Sequence, residues 1–185
     1  MTETTLILDE NALAQETVRD KRVFLALYDA YFPRIFTYFR YRCNDLQVCD
    51  DLTAQTFEQA LTHLDQFNPS RGSFAAWLFG IARNLANAHL RENRRWRWLS
   101  LDQILEKPSV HPAPEEALFR QIDRENLMVL MRTLEPRQRD LLALKFSGGL
   151  SNRQIATLTG LSEQNVAVIL FRTVRQLRKG MEEHD

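Results

Sequence analysis

The chain has 185 residues, of which 44% are hydrophobic, and its 24 basic side chains are balanced by 24 acidic ones. This length allows one domain or two small ones, and this apolar fraction is typical of a globular protein. The chain contains no run of 18 apolar residues, so no membrane insertion is expected. The acidic segment 1–16 lacks the pattern of a secretory signal, so the protein is expected to be cytoplasmic.

Few residues of the sequence are of the kinds that build metal or catalytic sites. The two cysteines, Cys43 and Cys49, lack the C-x-x-C spacing of a zinc or redox site, and the four histidines are scattered. Asp50 and Asp51 are adjacent carboxylates, but no histidine or lysine stands near them in sequence to complete a catalytic group. We therefore expect no catalytic residues, no metal and no cofactor.

Charge alternates in blocks along the chain. Residues 71–98 carry 6 Lys/Arg against 1 Asp/Glu, and residues 136–179 carry 8 against 2. Residues 1–70 carry 6 Lys/Arg against 11 Asp/Glu. Basic blocks suit contact with nucleic-acid phosphates, whereas an acidic block suits a protein partner.

Apolar residues recur at helical spacing through most of the chain, and no strand pattern is visible. The spacing is lost at the N-terminus and in a proline-containing segment near the middle. The sequence therefore predicts an all-α protein of two small helical domains joined by a flexible linker. The predicted divisions are a frayed tail at 1–20, a first domain at 21–98, a linker at 99–114 and a second domain at 115–180.

In the first domain, the apolar spacing predicts a helix over 21–42, which Pro33 is expected to kink or split. A second helix is predicted over 46–64 and a third after Ser73, whose hydroxyl can cap it. Aromatic residues and arginines lie close together in the loop before this third helix and along it. Rings stack on unpaired bases and guanidinium groups hold phosphates, so the region is typical of binding to single-stranded nucleic acid.

The second domain has the layout of a helix-turn-helix. Pro136 suits the first turn of a helix, Ser151 can cap a short helix, Gly160 can form the turn, and Ser162 can cap the last helix. The second helix of such a motif enters the major groove with its N-terminal residues facing the base edges. A helical hairpin that serves only packing remains the alternative.

Residue type then suggests which side chains would read the DNA. Glutamine and asparagine suit adenine, and glutamate suits the amino group of cytosine. The candidates for base contact are Glu163, Gln164 and Asn165. The arginines expected on phosphates are Arg153, Arg172, Arg175 and Arg178.

Two ordered motif blocks resemble the sigma factors of bacterial RNA polymerase. Asp-Asp-Leu-Thr at 50–53 and Trp-Leu-Phe-Gly-Ile-Ala-Arg-Asn-Leu at 77–85 resemble the second domain of these factors. Leu-Glu-Pro-Arg-Gln-Arg at 134–139 and the segment 149–166 resemble their fourth domain. A short chain with only a linker between these domains is similar to the extracytoplasmic-function group, group IV of the sigma-70-type family.

The resemblance implies a role for each candidate residue. Core polymerase would be bound by Asp50, Asp51, Gln55 and Phe57. The minus-ten promoter element would be melted and bound by Ser73, Phe74, Trp77, Arg83, Asn84, Arg91, Arg94 and Arg95. The helical spacing of Trp77 is also typical of a core residue. The minus-thirty-five element would be bound by Arg153, Glu163, Gln164, Asn165, Arg172 and Arg175. The implied partners are the two largest subunits of core RNA polymerase, promoter DNA and an anti-sigma factor, with a monomer expected when the protein is free.

The sequence departs from the family pattern in both domains. Gly80 stands where an arginine is usual, and a run of six apolar residues, Val166–Phe171, occupies the last helix of the helix-turn-helix. Six consecutive apolar residues are too many for one buried face. Val168 and Phe171 therefore either contact thymine methyl groups or pack against protein when DNA is absent.

Two other functions stay open from the sequence alone. The chain could be a stand-alone helix-turn-helix regulator that never joins polymerase, or a sigma mimic that titrates an anti-sigma factor. The first alternative leaves the motif block of residues 22–98 without a role. The second leaves the arginines at 91–97 without a role, because titration requires no contact with a DNA strand.

Overall fold

A computed structural model of the protein describes residues 10–99 and 127–182, apart from the side chains of residues 18, 19, 21 and 94–99. All regular secondary structure in these residues is helical, which confirms the predicted all-α class. The predicted linker, 99–114, lies almost wholly outside the described residues, as does the start of the second domain at 115.

The described residues form two units, with four α-helices described in each. The helices of the first unit are α1 (Glu10–Arg19), α2 (Phe24–Arg42), α3 (Leu46–Thr62) and α4 (Phe74–Leu99), with 3-10 turns at Lys21–Val23 and Leu64–Gln66. The helices of the second unit are α5 (127–133), α6 (Pro136–Phe146), α7 (Asn152–Thr159) and α8 (Glu163–Glu182). Together they bury one continuous hydrophobic core.

Local capping chemistry sets most of the helix boundaries. Ser73 accepts a hydrogen bond from the Ala76 amide at 3.2 Å, as predicted for the start of α4. Asp45 accepts one from the Gln47 amide at 2.8 Å and so caps α3. Pro33 does not split α2, which runs continuously from Phe24 to Arg42. Pro33 is exposed, so water can satisfy the carbonyl group that the missing amide leaves unpaired.

The helix-turn-helix has the predicted turn and caps. Ser151 and Gln154 form a capping box at the start of α7, in which each side chain bonds the backbone of the other residue. Gly160 ends α7 with a φ of 72°, a conformation that glycine adopts without steric cost. Helix α8 begins after Ser162, whose hydroxyl accepts a hydrogen bond from the Asn165 amide at 3.2 Å.

The predicted frayed tail at 1–20 is wrong for residues 10–19, which form the packed helix α1. Ala14 and Thr17 are buried, and the Asn11 side chain accepts a hydrogen bond from the Phe74 amide at 2.8 Å. Glu10 accepts a hydrogen bond from the Tyr31 hydroxyl. Helix α1 therefore covers α2 and completes the cap of α4. These contacts join residues that are distant in the chain, so the short apolar pattern of α1 does not reveal them.

The two units pack against each other, a question that the sequence left open. Helix α2 packs against α6, and α4 packs against α7. The Tyr38 hydroxyl of α2 reaches the Asp140 side chain of α6 across a sequence separation of 102 residues. We call this contact region between the two units the junction.

Replacing Asn11 by alanine should destabilise the protein. The Phe74 amide would lose its acceptor at the first turn of α4, and loss of such a cap costs about 1 kcal/mol of unfolding free energy. Urea unfolding followed by circular dichroism measures this change. The exposed Gln15 lies on the same helix, so Gln15→Ala is the matched control. Equal stability of the Asn11→Ala and Gln15→Ala proteins would contradict a capping role for α1.

Candidate nucleic-acid interface and the junction beside it

Helix α3 presents an exposed acidic surface. Asp50, Asp51 and Gln55 are exposed there, as a protein contact requires. Phe57, which we predicted at the same contact, is only 5% exposed, and its ring centroid lies 4.7 Å from that of Tyr28. The prediction of a surface role for Phe57 conflicts with this burial. Phe57 instead anchors α3 on α2, because its large apolar ring gains more from the core than from water.

The aromatic residues at the start of α4 form a cluster rather than an open platform. Phe74 is fully buried, and its ring centroid lies 5.4 Å from that of Tyr31 and 5.6 Å from that of Phe67. Trp77 is half-buried, with its ring 5.6 Å from that of Phe67. Phe74 is therefore a core residue in this conformation and not a DNA-facing one, and Trp77 is packed mainly against its neighbours.

The middle of α4 carries polar side chains that do face outward. Asn84 and Arg91 are exposed, and their separation of seven residues places them on one face of the helix. The side chains of Arg94 and Arg95 lie outside the described residues. An amide and a guanidinium group on one exposed face can bond a base edge and a phosphate, respectively.

Arg83, on the neighbouring face of α4, is not free for DNA in this structure. Its Nε donates to Oδ2 of Asp140 at 2.8 Å, and its Nη1 donates to the Leu158 carbonyl at 2.8 Å. Both acceptors belong to the second unit. Arg83 was predicted on the DNA backbone, but here it holds α6 and α7 against α4.

Asp140 is the centre of the junction. It is 5% exposed, and besides Arg83 it accepts a hydrogen bond from the Tyr38 hydroxyl at 3.0 Å and lies 3.4 Å from Nη1 of Arg42. Burial and the adjacent Asp140 carboxylate raise the pKa of Tyr38 well above its usual value, so its hydroxyl stays protonated and donates. A buried carboxylate is tolerated when donors surround it in this way.

Arg42 ties this centre to two further elements. Its Nη1 donates to the Pro136 carbonyl at 3.0 Å, and its Nη2 donates to the Asn87 amide oxygen at 2.7 Å. One buried guanidinium group thus joins α2, α4 and the start of α6. Loss of Arg42 would affect the position of all three helices at once.

A second contact of the junction is made by Arg34 of α2. Its guanidinium group donates to the carbonyls of Ser147 and Gly148, at 3.2 and 2.7 Å, where α6 ends. It also lies over the Tyr31 ring, 4.4 Å from the centroid. A cation at a helix C-terminus interacts favourably with the helix dipole, and the stacking on Tyr31 holds the group in position.

A third contact joins α4 to the first helix of the helix-turn-helix. Nε2 of Gln154 donates to Oγ of Ser73 at 2.9 Å. Gly80 lies so close to Leu158 that a Cβ atom added to it would be 3.3 Å from the leucine side chain. The lack of a side chain at Gly80 therefore allows α4 and α7 to approach closely.

The roles of the junction residues Asp140, Arg34 and Arg42 were not predicted from the sequence. One signal was present, because Asp140 immediately precedes the apolar run Leu141–Leu144, whose members are all buried. An acid at the edge of a buried helical face indicates a buried partner, but the pattern does not identify that partner.

The second unit presents the predicted DNA-reading side chains together. The predicted residues Arg153, Glu163, Gln164, Asn165, Arg172 and Arg175 are all exposed on α7 and α8. None of the contacts of the junction described above uses these side chains, so they remain available while the two units are packed together.

Within the described residues, no group of three or more histidine, cysteine or acidic side chains is placed to hold a metal ion. In the same part of the chain, no helix combines the length and apolar character needed to cross a membrane. Cys43 and Cys49 are both buried, and both are free thiols. Their position in the core indicates packing rather than redox chemistry.

Comparison with protein families places two known regions on these units. The Sigma-70 region 2 profile matches residues 27–96, and the Sigma-70 region 4 profile matches residues 124–177. The first match covers most of the first unit and the second match covers α5 to most of α8. The two matches follow the division into units seen in the structure.

Individual proteins that are similar to this chain are sigma factors by name. The ECF RNA polymerase sigma factor BldN of Streptomyces coelicolor is 31% identical over 156 residues, which are 84% of this chain but 59% of that protein. The RNA polymerase sigma factor YlaC of Bacillus subtilis is 28% identical over 157 residues, which are 84% of this chain and 90% of that protein. The sigma factor RpoE of Bartonella quintana, solved in complex with the anti-sigma factor NepR, has the same fold, with a TM-score of 0.74. The two sequences are 21% identical, and the match covers 86% of this chain and 96% of that one.

Replacing Asp140 by alanine should loosen the junction. Arg42 and Arg83 would lose their buried carboxylate, and breaking such a pair costs about 3–5 kcal/mol. We expect a larger radius of gyration in small-angle X-ray scattering, with the helical circular dichroism retained. The exposed Asp29 provides the control Asp29→Ala, which should change neither quantity. An unchanged radius of gyration for Asp140→Ala would show that Asp140 does not hold the units together.

The buried thiols should be unreactive in the folded protein. Burial raises the pKa of Cys43 to about 11 and that of Cys49 to about 12, and only the thiolate reacts with disulfide reagents. At pH 8, labelling should be more than about 100-fold slower than in urea, because the ordinary thiol pKa is about 8.5. The same shift lowers folding stability as pH rises from about 8.5 to 11, since unfolded thiols ionise first. Rapid labelling of the native protein would refute the burial of both thiols.

Proposed function

The chain belongs to the sigma-70 family of bacterial RNA polymerase sigma factors, in the extracytoplasmic-function group, and we propose that it directs core polymerase to a specific class of promoters. In this proposal the first unit melts and holds the minus-ten element, and the second unit reads the minus-thirty-five element. The polymerase supplies the chemistry, so the factor needs no catalytic residue, and it acts in the cytoplasm as a monomer until it joins polymerase.

The exposed face of α4 supports the minus-ten assignment. Asn84 can bond the edge of a flipped base, and the exposed Arg91 lies on the same face, where it can contact a phosphate. Arg94 and Arg95 continue the basic end of the helix in sequence. These four residues are candidates for strand contact, and Ser73 and Arg83 join them when the junction opens. Phe74 supports the start of the helix.

Helix α8 supports the minus-thirty-five assignment. Its first residues, Glu163, Gln164 and Asn165, are exposed at the end of the helix that a helix-turn-helix inserts into the major groove. Arg172 and Arg175 are exposed further along and can contact phosphates. Arg153, at the start of α7, extends the same basic surface.

The exposed acids of α3 support docking on polymerase. Asp51 and Gln55 lie four residues apart and therefore on one face, with Asp50 beside them. We assign this face to the largest subunit, and the second unit to the second-largest. An anti-sigma factor is a further proposed partner, because the similar factor from Bartonella quintana was solved with one.

The junction sets a condition on this function. Arg83 and Ser73 bond Asp140 and Gln154 in the structure, so they can reach a DNA strand only if α6 and α7 move away from α4. We infer that joining polymerase separates the two units. The proposed function rests on the match of each unit to a different sigma region, together with exposed side chains on α4 and α8 that are suited to DNA contact.

Transcription in vitro tests the proposal. Purified protein is added to sigma-free core polymerase on a library of promoter fragments, and Asn84→Ala is compared with wild type. We expect specific transcripts from wild type and about a tenfold reduction with Asn84→Ala, since a good side-chain contact to a base is worth about 1–3 kcal/mol. The exposed asparagine of the α2–α3 turn gives the control Asn44→Ala, which should transcribe normally.

The other outcomes separate the alternatives. DNA binding without any association with core polymerase would indicate a stand-alone regulator. Binding of an anti-sigma factor without transcripts from any fragment would indicate a sigma mimic. Full activity of Asn84→Ala would remove Asn84 from the strand-binding face while leaving the sigma function in place.

A further inference from the structure

The recognition helix α8 exposes two apolar side chains that no contact within the described chain explains. Val168 is 41% exposed and Phe171 is 70% exposed, whereas Val166 and Leu170 of the same apolar run are buried. Exposure of a phenylalanine to this extent is unfavourable in water. A pair of such residues on one helix therefore indicates a surface that is covered when the protein acts.

These two side chains lie in the middle of the outward face of α8. Gln164, Val168, Phe171 and Arg175 are separated by four, three and four residues, the spacing of one stripe along a helix. All four are exposed. The apolar pair thus lies between a residue suited to base contact and a residue suited to phosphate contact.

The first unit does not cover this stripe. The junction contacts come from Asp140 of α6, from Ser147 and Gly148 after it, and from Gln154 and Leu158 of α7. The two units are packed together in the structure, and Phe171 is still exposed. Packing against the first unit in the absence of DNA is therefore not the role of the pair in this conformation.

The charge around the pair favours nucleic acid as the occupant. Arg172, Arg175 and Arg178 are exposed on the same helix, and residues 136–179 carry 8 Lys/Arg against 2 Asp/Glu. A basic rim around an apolar centre complements a DNA groove, whose walls are phosphates. Within the major groove, the apolar group that a protein can contact is the C5 methyl of thymine.

We propose that Val168 and Phe171 determine promoter specificity by contacting thymine methyl groups in the minus-thirty-five element. This proposal rests on the proposed function, because it places α8 in the major groove of that element. A helix rises 1.5 Å per residue, so the two side chains lie about 6 and 10 Å beyond Gln164 along α8. With base pairs about 3.4 Å apart, a helix lying along the groove would bring them to thymines about two and three base pairs from the pair that Gln164 contacts.

Replacement of thymine by deoxyuridine provides a direct test, because it removes the methyl group and leaves the hydrogen-bonding edge unchanged. The minus-thirty-five element preferred by the holoenzyme, which is core polymerase with this protein bound, is first selected from randomised fragments. The selected element is then shown to support transcription. Each thymine in it is then replaced singly by deoxyuridine, and promoter affinity of the holoenzyme is measured. We expect about a threefold to fivefold loss at two positions, the size expected for burial of one methyl group.

Variants of the full-length protein assign each methyl group to a side chain. Val168→Ser should abolish the deoxyuridine penalty at one position and Phe171→Ala at the other, while Val168→Ile and Phe171→Leu should keep it. Leu25 is also exposed and apolar but lies on α2, so Leu25→Ala should leave both penalties unchanged. Circular dichroism confirms that each variant retains its helices.

Several results would overturn the proposal. A selected element without thymine at these positions, or no penalty for deoxyuridine, would refute methyl readout while the sigma function stands. A penalty that persists in Val168→Ser and Phe171→Ala would assign the methyl contact to other groups. If these variants instead lost affinity only for an inhibitor protein, the pair would be a protein-docking surface. Failure of the wild-type protein to transcribe any fragment would refute the proposed function itself, and this inference with it, before any base is replaced.

Discussion

The arrangement of the two units depends on how one buried carboxylate is stabilised. Asp140 is almost wholly removed from water, and an ionised carboxylate in that position requires donors from the protein. Tyr38, Arg42 and Arg83 supply them, and all three belong to the other unit. The second unit can therefore pack in this way only where those three donors converge. A shift of α6 by one turn would separate the Asp140 carboxylate from all three donors.

This constraint gives α4 two uses that exclude each other. Ser73 and Arg83 bond the second unit in the structure, and the same residues belong to the proposed minus-ten surface. The free energy that holds the junction together must then be offset when polymerase and DNA are bound. Gly80 strengthens this competition, because the lack of a side chain there lets α7 lie directly on α4. The junction and the minus-ten strand would thus compete for one helix.

The second unit avoids such a conflict by dividing its surfaces. Its contacts with the first unit come from α6, α7 and the turn between them, so the exposed stripe of α8 is left uncovered. Glu163, Gln164 and the apolar pair Val168 and Phe171 are accessible in the packed conformation. The proposed reading of the minus-thirty-five element therefore needs no rearrangement of α8 itself. Only the minus-ten surface depends on separation of the units.

The sequence by itself determined most of the helices, several of their caps and the helix-turn-helix, because these depend on near neighbours. Ser151 bonds a residue three positions away, and Gly160 adopts a conformation set by its own lack of a side chain. Tertiary structure decided the packing of α1, the burial of Phe57 and Phe74, and the junction. Tyr38 and Asp140 are 102 residues apart in the chain, and nothing local to either residue specifies the other. An aromatic or charged side chain at helical spacing suits a core or a surface equally well, and only the packing of distant helices around it determines which it becomes.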